Sequence, residues 1–126
     1  MSKKSAILAA ALLASACATA PGPMVENGYP TGSLAVAAIQ RGDWARAEAL
    51  LLAEGRLDKA DPARLINLGR VYAATGRTDQ AISMWQTALA ADRHSEVETL
   101  NGGLARTDDI ARQAIARHAS LVTASR

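Results

Sequence analysis

Phenylalanine is absent from this 126-residue chain, and two Trp and two Tyr are its whole aromatic complement. A sheet protein of this size builds its core largely from aromatic and β-branched side chains, so the scarcity disfavours strands. The single cysteine, Cys17, excludes an internal disulfide. A surplus of one charge sign is also lacking: the net +2 comes from Lys3 and Lys4, and the remainder carries 12 basic and 12 acidic residues. That balance excludes the basic footprint a nucleic-acid backbone demands, so no nucleic-acid partner is expected. The length allows one small domain. Its 49% of apolar residues, alanine prominent among them, suit closely packed helices, and the expected class is all-α.

Lys3 and Lys4 precede an apolar run from Ala6 to Ala16, and the break at Pro21-Gly22-Pro23 ends any helical continuation. The run is about half of the roughly 20 residues that span a bilayer, so residues 1–16 read as an export signal rather than a permanent membrane helix. Leu13-Ala14-Ser15-Ala16-Cys17 resembles the lipobox of bacterial lipoproteins, with Ala14 where a large aliphatic residue is favoured. The resemblance implies a lipid anchor on Cys17. Ala18, which is not the Asp that retains lipoproteins in the inner membrane, then implies the periplasmic face of the outer membrane. Ala14-x-Ala16 also fits the small-x-small rule of an ordinary secretory signal, which would leave a soluble periplasmic protein. Residues 17–33 then hold the anchor cysteine and a tether rich in Pro, Gly and Thr.

From Leu34 the pattern changes. Leu34 and Leu68, Ala35 and Gly69, Gly42 and Gly76, Ala47 and Ala81, and Leu51 and Trp85 are each 34 residues apart, the mark of a duplicated unit over residues 34–94. Asp61-Pro62 supplies an N-cap and a first-turn proline, and Gly76 supplies a left-handed stop, which predicts a helix ending at Ala74-Thr75. Leu65, Leu68, Gly69 and Tyr72 share one face of it. A partner helix over residues 78–91 offers Ala81, Met84, Trp85 and Ala88, and Gly69 lets the two approach. Residues 34–40 and 43–54 repeat the pair, with Gly42 and Gly55 as stops.

Leu65-x2-Leu68-Gly69-x2-Tyr72 followed by Ala81-x3-Trp85 resembles the tetratricopeptide repeat, with Leu65 in place of the consensus Trp, Trp85 in place of Phe and Arg93 in place of the closing Pro. In the first copy Ala38 replaces the Tyr. The resemblance implies two antiparallel helix pairs and a non-catalytic module that receives a peptide or protein segment in the groove lined by the first helix of each pair. A third unit fails, because the register puts Gly102, Arg106 and Ala119 where Leu, Tyr and an aromatic belong. Residues 95–126 read instead as a loop or short hairpin around Asn101-Gly102, then a capping helix begun by Thr107, with Ile110, Ala111, Ala114, Ile115, Leu121 and Val122 as its apolar stripe.

No catalytic or metal constellation emerges. His94, His118 and Cys17 lack ligand spacing, G-x-S-x-G is absent, and Gly102-Gly103 lacks a phosphate-cradle frame. Asp108-Asp109 suits the first turn of a helix, and Arg41-Gly42-Asp43 spells an adhesion tripeptide but occupies a helix–helix turn. No metal, cofactor or catalytic residue is expected. By motif position the groove comprises Val36, Ile39, Gln40, Ile66, Asn67, Arg70, Ala73 and Ala74. Relatives that clamp a carboxylate use several Lys and Asn residues, for which only Asn67 and Arg70 are comparable. The expected partner is another envelope protein or peptide segment, with self-association as a further mode. The rival expectation is a small-ligand or catalytic pocket between the repeats and the C-terminal segment, using His94, His118 and Arg70; convergence of these three would support it.

Overall fold

The computed structural model describes residues 28–53, 55, 57–99 and 102–124. The expected export signal, Cys17, the expected tether up to residue 27, the expected helix end at Glu54, and Asn101 lie outside them. The elements run α1 (Val36–Gln40), α2 (Trp44–Leu52), α3 (Pro62–Ala74), α4 (Thr78–Leu89), β1 (Glu96–Glu98), β2 (Leu104–Arg106) and α5 (Thr107–Ala124). The fold is mostly helical, and the small antiparallel strand pair is a minor addition.

Both first helices end by the same local chemistry. Gly76 N donates to Ala73 O at 3.2 Å and Arg77 N to Tyr72 O at 2.8 Å, closing α3 in a Schellman motif. Thirty-four residues earlier, Gly42 N donates to Ile39 O and Asp43 N to Ala38 O, both at 3.0 Å. The φ of +69° at Gly42 and +80° at Gly76 is the left-handed conformation this closure requires. Asp61 caps α3 by accepting from Arg64 N at 2.9 Å, with Pro62 in the first turn.

The first pair is shorter than its copy. Helix α1 starts at Val36 rather than Leu34, because Ala35 takes a left-handed φ of +55° and cannot continue a right-handed helix. Helix α4 ends at Leu89 rather than Ala91, in a tightened turn where Ala91 N bonds Ala88 O at 3.3 Å. The last part of the tether belongs to the folded domain. Ser33 is buried, and the Tyr29 hydroxyl donates to Asp61 Oδ2 at 3.4 Å.

One core runs through both pairs and reaches the last helix: Leu34, Ala38, Leu51, Leu65, Leu68, Val71, Ala81, Trp85, Ala88 and Ala111 are all buried. Trp85 lies at the seam of α3 and α4, its Nε1 donating to Ile66 O at 3.1 Å. A Cβ on Gly69 would sit 2.7 Å from Trp85 Cδ1 and 2.8 Å from Cε2, so only glycine leaves room for the indole.

The segment after α4 pairs Glu96 with Arg106, Val97 with Ala105 and Glu98 with Leu104. Thr107 is not the cap of α5 but its first, fully buried residue, its N donating to Ser95 O at 3.0 Å. The expected apolar stripe holds for Ala111, with Ile110, Ala114 and Ile115 packed beside it. It fails at Leu121, which is 63% exposed, because the C-terminal turns of α5 extend past the core.

Candidate functional site

The face assigned to the first helices divides in two. Val36 and Arg70 are half-buried, and Gln40 and Ala74 exposed. These are equivalent pairs in the 34-residue register, so α1 and α3 present the same two positions to solvent at each repeat. Ala73 is half-buried beside them. Ile39, Ile66 and Asn67 belong elsewhere. Ile39 and Ile66 are buried in the core, and Asn67, 1% exposed, donates from Nδ2 to Leu34 O at 2.9 Å. Asn67 is therefore a structural tie between the two pairs, and its amide is spent on a backbone carbonyl that would otherwise be buried without a partner. Burial pulls the Arg70 guanidinium below its ordinary pKa, a cost of desolvating the charged form.

Three polar groups absent from the expected face hold its scaffold. Arg64, buried in the first turn of α3, donates from Nε to Leu51 O at 2.5 Å and from Nη1 to Lys59 O at 3.0 Å, tying the α2–α3 connection to both helices. Arg77 grips Glu48 with two parallel bonds, Nη1 to Oε1 at 2.9 Å and Nη2 to Oε2 at 2.6 Å. Its guanidinium carbon lies 4.3 Å from the Tyr72 ring centroid, a cation–π contact. The hydrogen bond from Arg77 is the main cause that holds the Glu48 carboxyl below its usual range. Glu48 and Arg77 are 29 residues apart. No periodicity flags such a pair; only the packing of α2 against the α3–α4 turn brings it together.

The two histidines do not converge. His94 Nδ1 lies 3.3 Å from Thr107 Oγ1 at the start of α5. His118 Nδ1 lies 3.0 Å from Ala114 O, and its ring packs against Trp85, tilted by 54° with centroids 4.7 Å apart. Eleven residues of helix separate Thr107 from His118, about 16 Å along the axis. An open cleft of about 560 Å³ between the start of α3 and the end of α4 is bordered by Asp58, Asp61, Thr87, Asp92 and Arg93, and by neither histidine nor Arg70. Asp108 and Asp109 are engaged at the start of α5. Arg106 Nε bonds Asp108 at 3.0 Å and Arg112 Nη1 bonds Asp109 at 2.6 Å. Burial pushes the Asp108 carboxyl up, but the hydrogen bond and charge of Arg106, a backbone N–H and the charge of His94 together bring it below its ordinary value. Among the described residues, no group of three or more His, Cys, Asp or Glu is placed to hold a metal ion. None of their helices is long and apolar enough to cross a membrane.

The family profile described as tetratricopeptide repeat matches residues 31–63 and 65–97, just over half of the chain and the two halves of the 34-residue duplication. No curated protein and no solved structure matches it.

Proposed function

The chain belongs to the tetratricopeptide repeat family, and from that premise we propose that it is a non-catalytic docking module of the bacterial envelope, held to the outer membrane by a lipid on Cys17. Repeats of this family are typically non-catalytic and serve protein–protein interaction. The surface we assign to the partner is the strip Val36, Gln40, Arg70, Ala73 and Ala74 along α1 and α3. The observation that carries this reading is the repetition itself: positions 36 and 70 are half-buried, Val36 at the edge of the core, and 40 and 74 are exposed in both copies, while Ala38 and Tyr72 between them enter the core. A strip of apolar, amide and guanidinium groups suits an extended protein segment, whose apolar side chains contribute roughly 25 cal/mol per Å² buried and whose polar groups meet Gln40 and Arg70. The separation of His94 from His118 removes the support for a shared ligand pocket.

A photo-reactive amino acid at Gln40 or Ala74, both exposed and at helix ends, tests the assignment in cells. Cross-linked adducts to a defined envelope protein are expected from these positions and not from Gln86, exposed on α4. Gln40→Lys with Ala74→Lys adds cations at two helix C-termini, where they favour the fold, and should alter capture of that protein. Unchanged capture, or equal cross-linking from Gln86, rejects the strip.

A further inference from the structure

Among the described residues, the exposed large apolar side chains are Leu52, Leu104 and Leu121. The last two bracket α5. Leu104, 71% exposed, lies three residues ahead of Thr107, within about 10 Å of the helix start at the rise of an extended chain. Leu121 lies fourteen residues beyond Thr107, about 21 Å along the axis. Along α5 Asp109, Gln113, Arg117, Ser120 and Ala124 are all exposed. At about 100° per residue they fall within one face roughly 80° wide, and Leu121 borders it. The face is ordered in charge: acidic at Asp109, whose carboxylate also accepts from Arg112, and basic two turns later at Arg117.

We propose that this face of α5 is a self-association surface, on which a second copy of the chain docks its own α5 antiparallel about a two-fold axis near Gln113. In that register Asp109 of one copy lies opposite Arg117 of the other, twice over. The same register carries each Leu121 about 3 Å past the start of α5 in the other copy, the end from which β2 and its exposed Leu104 lead away, so an exposed leucine of each chain lies at both ends of the contact. One pattern, read backwards, meets both the charge and the apolar requirement, which is the self-complementarity an isologous contact needs. A parallel pairing would set Asp109 on Asp109 and Arg117 on Arg117, and would align the two helix dipoles unfavourably. A contact made by one helix and a hairpin edge is small beside the roughly 1,200–2,000 Å² of a stable interface, so the dimer is reversible and concentration-dependent.

Sedimentation equilibrium of the full chain carrying Cys17→Ser, which removes its lone thiol, reads this directly. A monomer–dimer equilibrium is expected, weakened at least tenfold by Leu104→Ser with Leu121→Ser and likewise by Arg117→Asp. Adding Asp109→Arg to Arg117→Asp restores opposite charges across the axis and should recover association. All four positions are exposed, so each variant should remain folded by circular dichroism, with Asp109→Arg costing only the surface pair with Arg112 and a first-turn acid. In the same background, Gln113→Cys should be captured as a dimer by a short bis-maleimide, and Gln86→Cys should not. A monomer at every concentration overturns the proposal. So does a dimer indifferent to these substitutions, or one captured as readily through residue 86.

Discussion

A methyl group at position 69 has nowhere to go, since the Trp85 indole already fills the space, fixed there by its bond to Ile66 O and by the tilted His118 ring packed against it. Gly69→Ala should therefore destabilise the domain by about 1–3 kcal/mol through overpacking, although alanine is the better helix former. Trp85→Ala should cost about 3–5 kcal/mol, because a large side chain leaves a cavity between α3 and α4. The two sites are in contact and so must couple: in a Trp85→Leu background the added methyl finds room, and Gly69→Ala should cost less than in the parent. Urea unfolding of the four proteins measures the cycle. Strictly additive losses would mean that the indole does not fill the space over residue 69. The pairing of Gly69 with Trp85 was legible because both carry a repeat signature. Arg64 was not, since a buried arginine satisfied by two backbone carbonyls has the sequence appearance of any surface arginine.

Element by element, what could be read in advance was what local chemistry decides. Asp61-Pro62 and Gly76 set the ends of α3 through bonds within a few residues, and the 34-residue spacing set the pairing of helices. What could not be read was burial. Ile39, Ile66 and Asn67 have the helical angles of a groove, but burial depends on what lies over a face, and for Asn67 that cover is the Leu34 carbonyl, which lies just before α1. The link between α2 and the α3–α4 turn is another such contact, and it has a pH signature. Arg77 holds the Glu48 pKa below its ordinary 4.5, so in the native state the carboxylate keeps its charge to lower pH than in the unfolded chain. The stabilisation is complete above the unfolded value and fades as pH falls through the lower native value. Glu48→Gln should thus lower the thermal midpoint modestly at neutral pH, as a partly exposed pair allows, and the gap between variant and parent should close as pH falls through the lowered native value. A gap that persists to strongly acidic pH would assign the effect to packing rather than to the ion pair.

The whole molecule joins a helical core, continuous from Leu34 to Ala111, to an N-terminal segment in which Cys17 is the proposed anchor. Asn67 to Leu34 and Arg64 to Leu51 cross between the helix pairs, so the pairs share their fate in unfolding through residues that all lie beyond the tether. Folding and membrane retention should therefore separate cleanly. None of the described helices is long and apolar enough to cross a bilayer. In the proposed arrangement retention rests on acyl chains, each buried CH₂ of which contributes roughly 0.8 kcal/mol. Cys17→Ser should move the protein from the membrane pellet to the soluble fraction while leaving its helical circular dichroism and thermal midpoint as in the parent. Mass analysis of the parent should find the diacylglyceryl adduct on a chain that begins at residue 17. If the variant still sediments after a high-salt wash, an uncleaved apolar segment or a tightly bound partner holds it instead. A parent whose mature chain begins at residue 17 without the adduct would mark an ordinary secretory cleavage and a soluble periplasmic module, with the repeat surfaces unaffected by either result.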